Sequence, residues 1–488
     1  MHHTPEPLLT TNDLRKNAAF VAGEWIAADN GVTLAVHNPA DDTVVGLVPD
    51  LGAAEVTRAI AAANAALPAW RSRPPMERAT LLKRWNALIL AHKEPLAEIL
   101  TAEQGKPLAE AGGEIVYGAS FVEWFAEEAP RIAGEVIPSP RAGSRIIVQK
   151  HAVGVCALII PWNFPNALFL RKAAAALAAG CTVVIKPSEF TPFSALALAE
   201  LARLAGIPDG VLNVVTGMPQ EIGRTLMEST VVRKLSFTGS TRVGKMLLAQ
   251  TGDTVKKASL ELGGNAPLIV FDDADLDRAV DGCVASKFRN NGQTCVCANR
   301  IFVQAGIHDA FVARLKAVVE AMKVGPGTEP GVSNGPLINA AAIAKVERHV
   351  TDAVAKGATA VTGGKRLHGL FYQPTILTGA TEAMELAHDE TFGPVAAIFR
   401  FETEKEVVDA ANSTPYGLAA YFFTRDADRI FRVADALESG MVGINEGLIS
   451  NSVAPFGGIK ESGLGREGST HGIEEYLEMK TLTISSSL

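Results

Sequence analysis

Val153-Gly-Val-Cys-Ala-Leu-Ile-Ile160, a helical run from Pro165 to Ala179, Thr182-Val-Val-Ile-Lys186, a second helical run from Ser194 to Ala205, and Val211-Leu-Asn-Val-Val215 follow one another directly. Short β-rich runs thus alternate with longer helical ones, which means βαβ units and a parallel sheet with helices on both faces. A second such set begins at Ala266-Pro-Leu-Ile-Val-Phe271 and continues through Asn299-Arg-Ile-Phe-Val-Gln304 and a helix from His308 to Met322. Two α/β units result.

Upstream, from Ala54 to about Arg131, apolar residues recur at spacings of three and four, the pattern of helices with one buried stripe. One helix spans Met76 to His92 and another runs through Phe121-Val-Glu-Trp-Phe125. Ser144-Arg-Ile-Ile-Val-Gln-Lys150 and Glu474-Glu-Tyr-Leu-Glu-Met-Lys-Thr-Leu-Thr-Ile484 stand apart as β-competent segments. They are expected to pair with each other or with the sheet edge of another subunit.

A chain of 488 residues has room for two to four domains of about 100 to 200 residues each. With 48% hydrophobic and 20% charged residues it has the composition of a globular protein rather than a disordered one. The 45 Lys and Arg against 53 Asp and Glu leave a net charge of -8, which argues against nucleic acid as a partner and favours a small molecule. No apolar run approaches the roughly 20 residues that span a bilayer, and Met1-His-His-Thr-Pro-Glu-Pro-Leu-Leu9 lacks a basic region followed by an apolar one, so the expected location is cytoplasmic. Five cysteines are too few and odd in number for a disulfide framework. Cys295 and Cys297 have no nearby His pair, so no metal site is expected.

Three local patterns carry chemistry. In Phe288-Arg-Asn-Asn-Gly-Gln-Thr-Cys-Val-Cys297, a thiol follows a turn rich in Gly and amides, where a substrate can approach closely. A buried structural thiol fits the local sequence equally well. Leu260-Glu-Leu-Gly-Gly-Asn265 ends an apolar strand on a carboxylate, a setting that raises a pKa and suits general-base work, although an ion pair with Lys257 is the alternative. Thr238-Gly-Ser-Thr-Arg-Val-Gly244 is a strand-to-helix turn whose N–H groups can face a pyrophosphate, and Ser240 as a helix cap explains it about as well.

Together, Phe237-Thr-Gly-Ser240, Glu261-Leu-Gly-Gly264, Gly292-Gln-Thr-Cys295, Glu390-Thr-Phe-Gly-Pro394 and Pro455-Phe-Gly-Gly-Ile-Lys-Glu-Ser-Gly463 resemble the aldehyde dehydrogenase superfamily, in family order and over essentially the whole chain. The resemblance implies a Rossmann-like NAD-binding domain (1–129 and 150–262), an α/β catalytic domain (263–473) and a small β oligomerisation flap (130–149 and 474–488). It implies that Cys295 adds to an aldehyde, that hydride passes to a nicotinamide, and that Glu261 activates the water that hydrolyses the thioester. A soft thiolate makes the tetrahedral centre from which hydride can leave and then a hydrolysable acyl group. Asn163, in Ile160-Pro-Trp-Asn-Phe-Pro165, would hold the oxyanion together with the Cys295 N–H.

For the cofactor, the resemblance assigns Gly239 and Ser240 to the turn, Lys186 and Glu189 to the adenosine ribose, and Glu390 and Phe392 to the nicotinamide ribose and ring. Trp162 and Leu262 also fall to the cofactor. A carboxylate at Glu189 accepts from a ribose 2′-hydroxyl and repels a 2′-phosphate, so NAD is expected over NADP, with Lys186 leaving some NADP use open.

Arg171, in the apolar helix beginning after Asn163, and Arg289, six residues before Cys295, would together suit an anionic aldehyde. Ser286 to Arg300 and Gly443-Ile-Asn-Glu-Gly-Leu-Ile-Ser450 look like the succinate-semialdehyde dehydrogenase branch, in which both arginines and a serine, here Ser450, hold the substrate carboxylate. Glutarate semialdehyde is the close competitor, and a cysteine esterase using Cys295 and Glu261 is the alternative class. Cys297 invites a redox switch through a strained, easily reduced link to Cys295. The resemblance implies a homodimer or homotetramer.

Overall fold

Strand Val155–Ile159 lies inside the first sheet, and the chain departs from it in two directions. Thr182–Lys186 and Leu212–Val214 add on one side, Val232–Thr238 and Lys257–Glu261 on the other, all five in parallel. The order reverses between Val155–Ile159 and Val232–Thr238, and such a reversal opens a ligand crevice beyond the carboxyl ends of the two strands. The computed structural model, which describes residues 8–485, ends this sheet in antiparallel edges: the hairpin of Ala19–Val21 with Glu24–Ile26, and Gly463–Leu464.

The second sheet runs Thr359–Thr362, Thr375–Thr378, Val395–Phe401, Ala298–Gln304, Ala266–Val270, Ala419–Phe423, Met441–Ile444, parallel except for its first strand. The chain passes from one sheet to the other between Glu261 and Ala266. The two isolated β segments do pair with each other: Leu477–Ser485 lies antiparallel on Ser144–Ala152, with Glu135–Ile137 beyond it. Residues 1–7 and 486–488 of the expected divisions lie outside the described residues. Among the described residues no helix is long and apolar enough to cross a membrane.

Helix Pro165–Ala179 has the bounds its sequence announces, Pro at the first position and Gly180 at φ 90 after the last turn. It is buried along its whole length and packs on Leu108–Glu128. Contact there is close: a Cβ on Gly118 would stand 3.1 Å from the Cα of Ala167. Arg171 and Lys172 therefore project inside the protein, 2% and 0% exposed. The following helix begins at Pro192 rather than at Ser194. The Glu103 carboxylate accepts from the N–H groups of Phe193 and Ser194 at 2.8 Å each and caps that helix from a distant segment, which local sequence does not reveal.

Candidate active site

The five motifs meet around Cys295, and their glycines show how tightly. A Cβ on Gly264 would stand 2.8 Å from the Cys295 carbonyl, one on Gly292 would stand 2.2 Å from the Gly393 carbonyl, and one on Gly457 would stand 2.9 Å from Glu261 Oε1. The Gly239 N–H donates to the Glu261 carbonyl at 3.0 Å, which brings in the remaining motif.

Cys295 follows three consecutive left-handed residues, Asn290, Asn291 and Gly292, with φ of 50, 55 and 74. Asn and Gly are the residues that accept this conformation at least cost. The side chains of the turn are spent on holding it. Asn290 Nδ2 donates to the Asn163 carbonyl at 3.0 Å and Asn291 Nδ2 to the Gly335 carbonyl at 2.9 Å, while Gln293 Oε1 accepts from the Ile338 N–H at 2.9 Å. Asn163 Nδ2 donates to the Gln293 carbonyl at 3.1 Å, two residues from the thiol. The Cys295 N–H has no acceptor among the described residues.

Burial pushes the Cys295 thiol up to about 12; Arg171 and Arg289 pull it down, and Glu390 and Glu261 push it further up. Glu261 is 2% exposed, its Oε2 has no hydrogen-bond partner, and burial together with the neighbouring Glu467 raises it well above the carboxylate range. The alternative partner Lys257 is occupied elsewhere, donating to the Leu477 carbonyl at 2.9 Å. For Glu467 the desolvation that would raise its pKa is outweighed by Arg171 and Lys172, which hold it ionised. The pKa values of two nearby carboxyl groups are thus driven apart, Glu261 upward and Glu467 downward. Glu467 and Lys172 were not singled out in the sequence; the only local signal was that Lys172 follows Arg171 in an apolar helix.

Arg171 is therefore not a free cation. Its Nε meets Glu467 Oε2 at 2.5 Å, off the line of the N–H, so the contact is an ion pair without a directed hydrogen bond, and Nε and Nη2 both lack acceptors. Its guanidinium lies 4.1 Å from the centre of the Phe456 ring. Arg289 stacks 5.3 Å from the Phe164 ring with its own Nε bare. Ser450 is half-buried in the segment after Met441–Ile444, next to Ile449, which packs into the same apolar cluster as Cys295. Cys297 is 1% exposed and turned to Lys287, whose Nζ stands 3.3 Å from Sγ.

At the crevice expected from the strand order, a cleft of about 620 Å³ is lined by Ile159, Lys186, Phe237, Arg224, Arg242 and Val243. Lys186 Nζ and Glu189 Oε2 pair at 3.0 Å. In the turn the Gly239 N–H is taken by the Glu261 carbonyl, which leaves N–H groups at the start of helix Thr241–Thr251 for a ligand. Ser240 also caps that helix, accepting from the Val243 N–H at 3.4 Å. Leu262 is buried against Gly244. Trp162 meets Phe392 edge to face at 5.5 Å, and Phe392 holds a positive φ of 53, unusual for an aromatic residue. Glu390 Oε1 accepts from the Gly264 N–H at 3.3 Å, and burial raises its pKa to about 8. A cleft at the switch point with a helix N-terminus, a Lys–Glu pair, and a carboxyl group beside an aromatic pair fit a dinucleotide.

The model of the aldehyde dehydrogenase family matches residues 25–482. The chain belongs to this family. It is 58% identical over 472 residues to a glutarate-semialdehyde dehydrogenase of Pseudomonas putida, covering 97% of this chain and 98% of that one. It is 56% identical over 478 residues to a succinate-semialdehyde dehydrogenase [NADP(+)] of Escherichia coli, covering 98% and 99%. A crystal structure of succinate-semialdehyde dehydrogenase from Burkholderia pseudomallei is similar at 57% identity with a TM-score of 0.97, covering 99% and 100%. Family membership bears out the resemblance read from the five motifs, and the α/β fold agrees with that of this structural neighbour.

Proposed function

We propose that this aldehyde dehydrogenase family member oxidises succinate semialdehyde to succinate with NAD as the preferred acceptor and NADP as a possible one. Cys295 Sγ adds to the aldehyde carbon, and the oxyanion is held by Asn163 Nδ2 and the Cys295 N–H. The dinucleotide supplies the acceptor for the hydride. Glu261, once deprotonated, takes a proton from water as its oxygen attacks the thioester, the C–S bond breaks, and carboxylate and free thiol are released. Trp162, Lys186, Glu189, Gly239, Ser240, Leu262, Glu390 and Phe392 form the cofactor side.

The observation that carries the substrate is the pair of guanidiniums, Arg171 and Arg289, whose charges act on the thiol and whose N–H groups include bare ones. Ser450 completes the carboxylate site in this reading. Steady-state rates with succinate semialdehyde, glutarate semialdehyde and uncharged butyraldehyde test it. Hydrogen bonds to a charged group contribute about 1.5 to 3 kcal/mol each, so kcat/KM for butyraldehyde should be lower by about a hundredfold or more. Equal efficiency would overturn the assignment. Glutarate semialdehyde stays the nearest competitor, because one methylene discriminates by only about 1 to 3 kcal/mol.

Glu189 carries the cofactor preference. Glu189→Gln removes its charge next to Lys186 and should shift the NAD to NADP ratio of kcat/KM toward NADP by on the order of tenfold, about 1.4 kcal/mol. An unchanged ratio would place the discrimination elsewhere. An oxidative block of Cys295 by Cys297 requires Cys297 Sγ to leave the Lys287 amine.

The division into a dinucleotide-binding part (1–129 and 150–262), a catalytic part (263–473) and a flap (130–149 and 474–488) is part of the same proposal, supported by the change of sheet after Glu261. The flap leaves Val136, Ile137, Met479 and Ile484 exposed, which favours burial against another subunit in a dimer or tetramer. A cytoplasmic location accords with the sparse, unbridged cysteines.

A further inference from the structure

Buried hydroxyl groups nearly always have a hydrogen-bond partner, so a bare one next to a reactive centre needs a reason. Tyr117, on helix Leu108–Glu128, has such a group: its Oη is out of solvent and has no hydrogen-bond partner. The ring is held in place by Phe121, one turn further along the helix, with centroids 5.0 Å apart in an edge-to-face contact. The helix packs closely on helix Pro165–Ala179 at Gly118, against Ala167 and Leu170, and the Arg171 guanidinium lies 5.8 Å from the same Phe121 ring.

Burial raises the pKa of the Tyr117 phenol, while the charges of Arg171 and Arg289 pull it back and Cys295 pushes it further up; Arg171, whose main partner is Glu467, responds in turn to Tyr117. Tyr117 and Arg171 flank the same Phe121 ring, at 5.0 and 5.8 Å from its centroid, Arg289 stacks 5.3 Å from the Phe164 ring, and Tyr117 Oη–H, Arg171 Nη2 and Arg289 Nε are bare donors. A phenol oxygen that accepts from a guanidinium still has its hydrogen to place, and the other two groups are donors only. What the set lacks is an acceptor, and a carboxylate offers two oxygens with about four lone-pair sites.

We infer that Tyr117 donates its phenolic hydrogen to the carboxylate of the substrate and, with Arg171 and Arg289, forms a site that selects aldehydes carrying an anion. This rests on the proposed oxidation of a carboxylate-bearing aldehyde and adds to it a residue from an element that sequence patterns did not connect with the site. The hydroxyl is a binding group; it takes no part in hydride transfer or hydrolysis.

Tyr117→Phe removes only the hydroxyl. The ratio of kcat/KM for succinate semialdehyde to that for butyraldehyde should fall by about 10- to 100-fold, the size of a hydrogen bond to a charged group, with most of the change in KM for succinate semialdehyde. Inhibition by succinate should weaken by a similar factor. The melting midpoint should hold or rise, because a bare buried hydroxyl has been replaced by hydrogen. If the wild type prefers succinate semialdehyde and the variant keeps the same ratio, the inference about Tyr117 is wrong while the substrate reading stands. Equal losses on both aldehydes, or a lowered midpoint with an unchanged ratio, assign Tyr117 a structural role and also overturn it. A wild type with no preference between the two aldehydes removes the substrate reading and the inference with it.

Discussion

Cys295→Ser should lower kcat for aldehyde oxidation by roughly 10⁴-fold or more, the scale on which enzymes lose activity when their nucleophile is removed. The substitution changes one atom, and the Asn290, Asn291 and Gln293 side chains that hold the turn do not depend on the thiol. Loss of fold is therefore not the expected cause, and retention of dinucleotide binding with an unchanged melting midpoint checks this. A serine variant with wild-type kcat would remove Cys295 from the chemistry altogether. A pH dependence accompanies the prediction. Burial holds the Cys295 thiol at about 12, so its thiolate is a minority near neutrality, and burial also raises Glu261 above the carboxylate range, so its deprotonation moves to higher pH. Each deprotonated fraction grows as pH rises, so kcat/KM should climb through neutrality into the alkaline range, because this parameter reports the free enzyme. A profile that is flat or falling there contradicts the assignment of these two groups.

Glu261→Gln should separate the two halves of the reaction. Gln keeps the shape of the side chain and leaves the Glu467 pairs with Arg171 and Lys172 intact, but it cannot take a proton from water. The expected course is a burst of about one reduced cofactor per active site, followed by a steady rate lower by roughly 10² to 10⁴-fold, as for loss of a general base. The acyl group should remain on Cys295 and be visible as added mass on the intact chain. If the burst itself is lost, Glu261 acts before the thioester forms, and its place in the sequence of steps has to change.

Much of the fold was legible because its punctuation is local. Pro165 and Gly180 bound one helix, and strand Thr182–Lys186 has the bounds its β-branched run predicts. The start of the next helix was misjudged by two residues because its cap, Glu103, comes from a different helix. The site was legible where motifs are contiguous: Cys295, Glu261, Asn163 and Glu390 each stand in a recognisable short pattern. Glu467 was not found, since its significance lies in facing Arg171, Lys172 and Glu261 from the far end of the chain. The turn at Gly239 shows the same dependence on packing. Its N–H looked available in the sequence but belongs to the Glu261 carbonyl once the two strands lie side by side.

By itself, the sequence determined the alternation that makes parallel sheets, the five motifs that make this an aldehyde dehydrogenase family chain, and the residue types able to supply a nucleophile, a base and two cations. Only the tertiary structure decided which of those groups are charged and which are bare. Arg171 is ion-paired with Glu467, burial raises the pKa of Glu261, and Tyr117 Oη is left without a partner. The reason is physical: local sequence governs backbone conformation and periodicity, whereas desolvation and pairing depend on what long-range packing brings against a side chain.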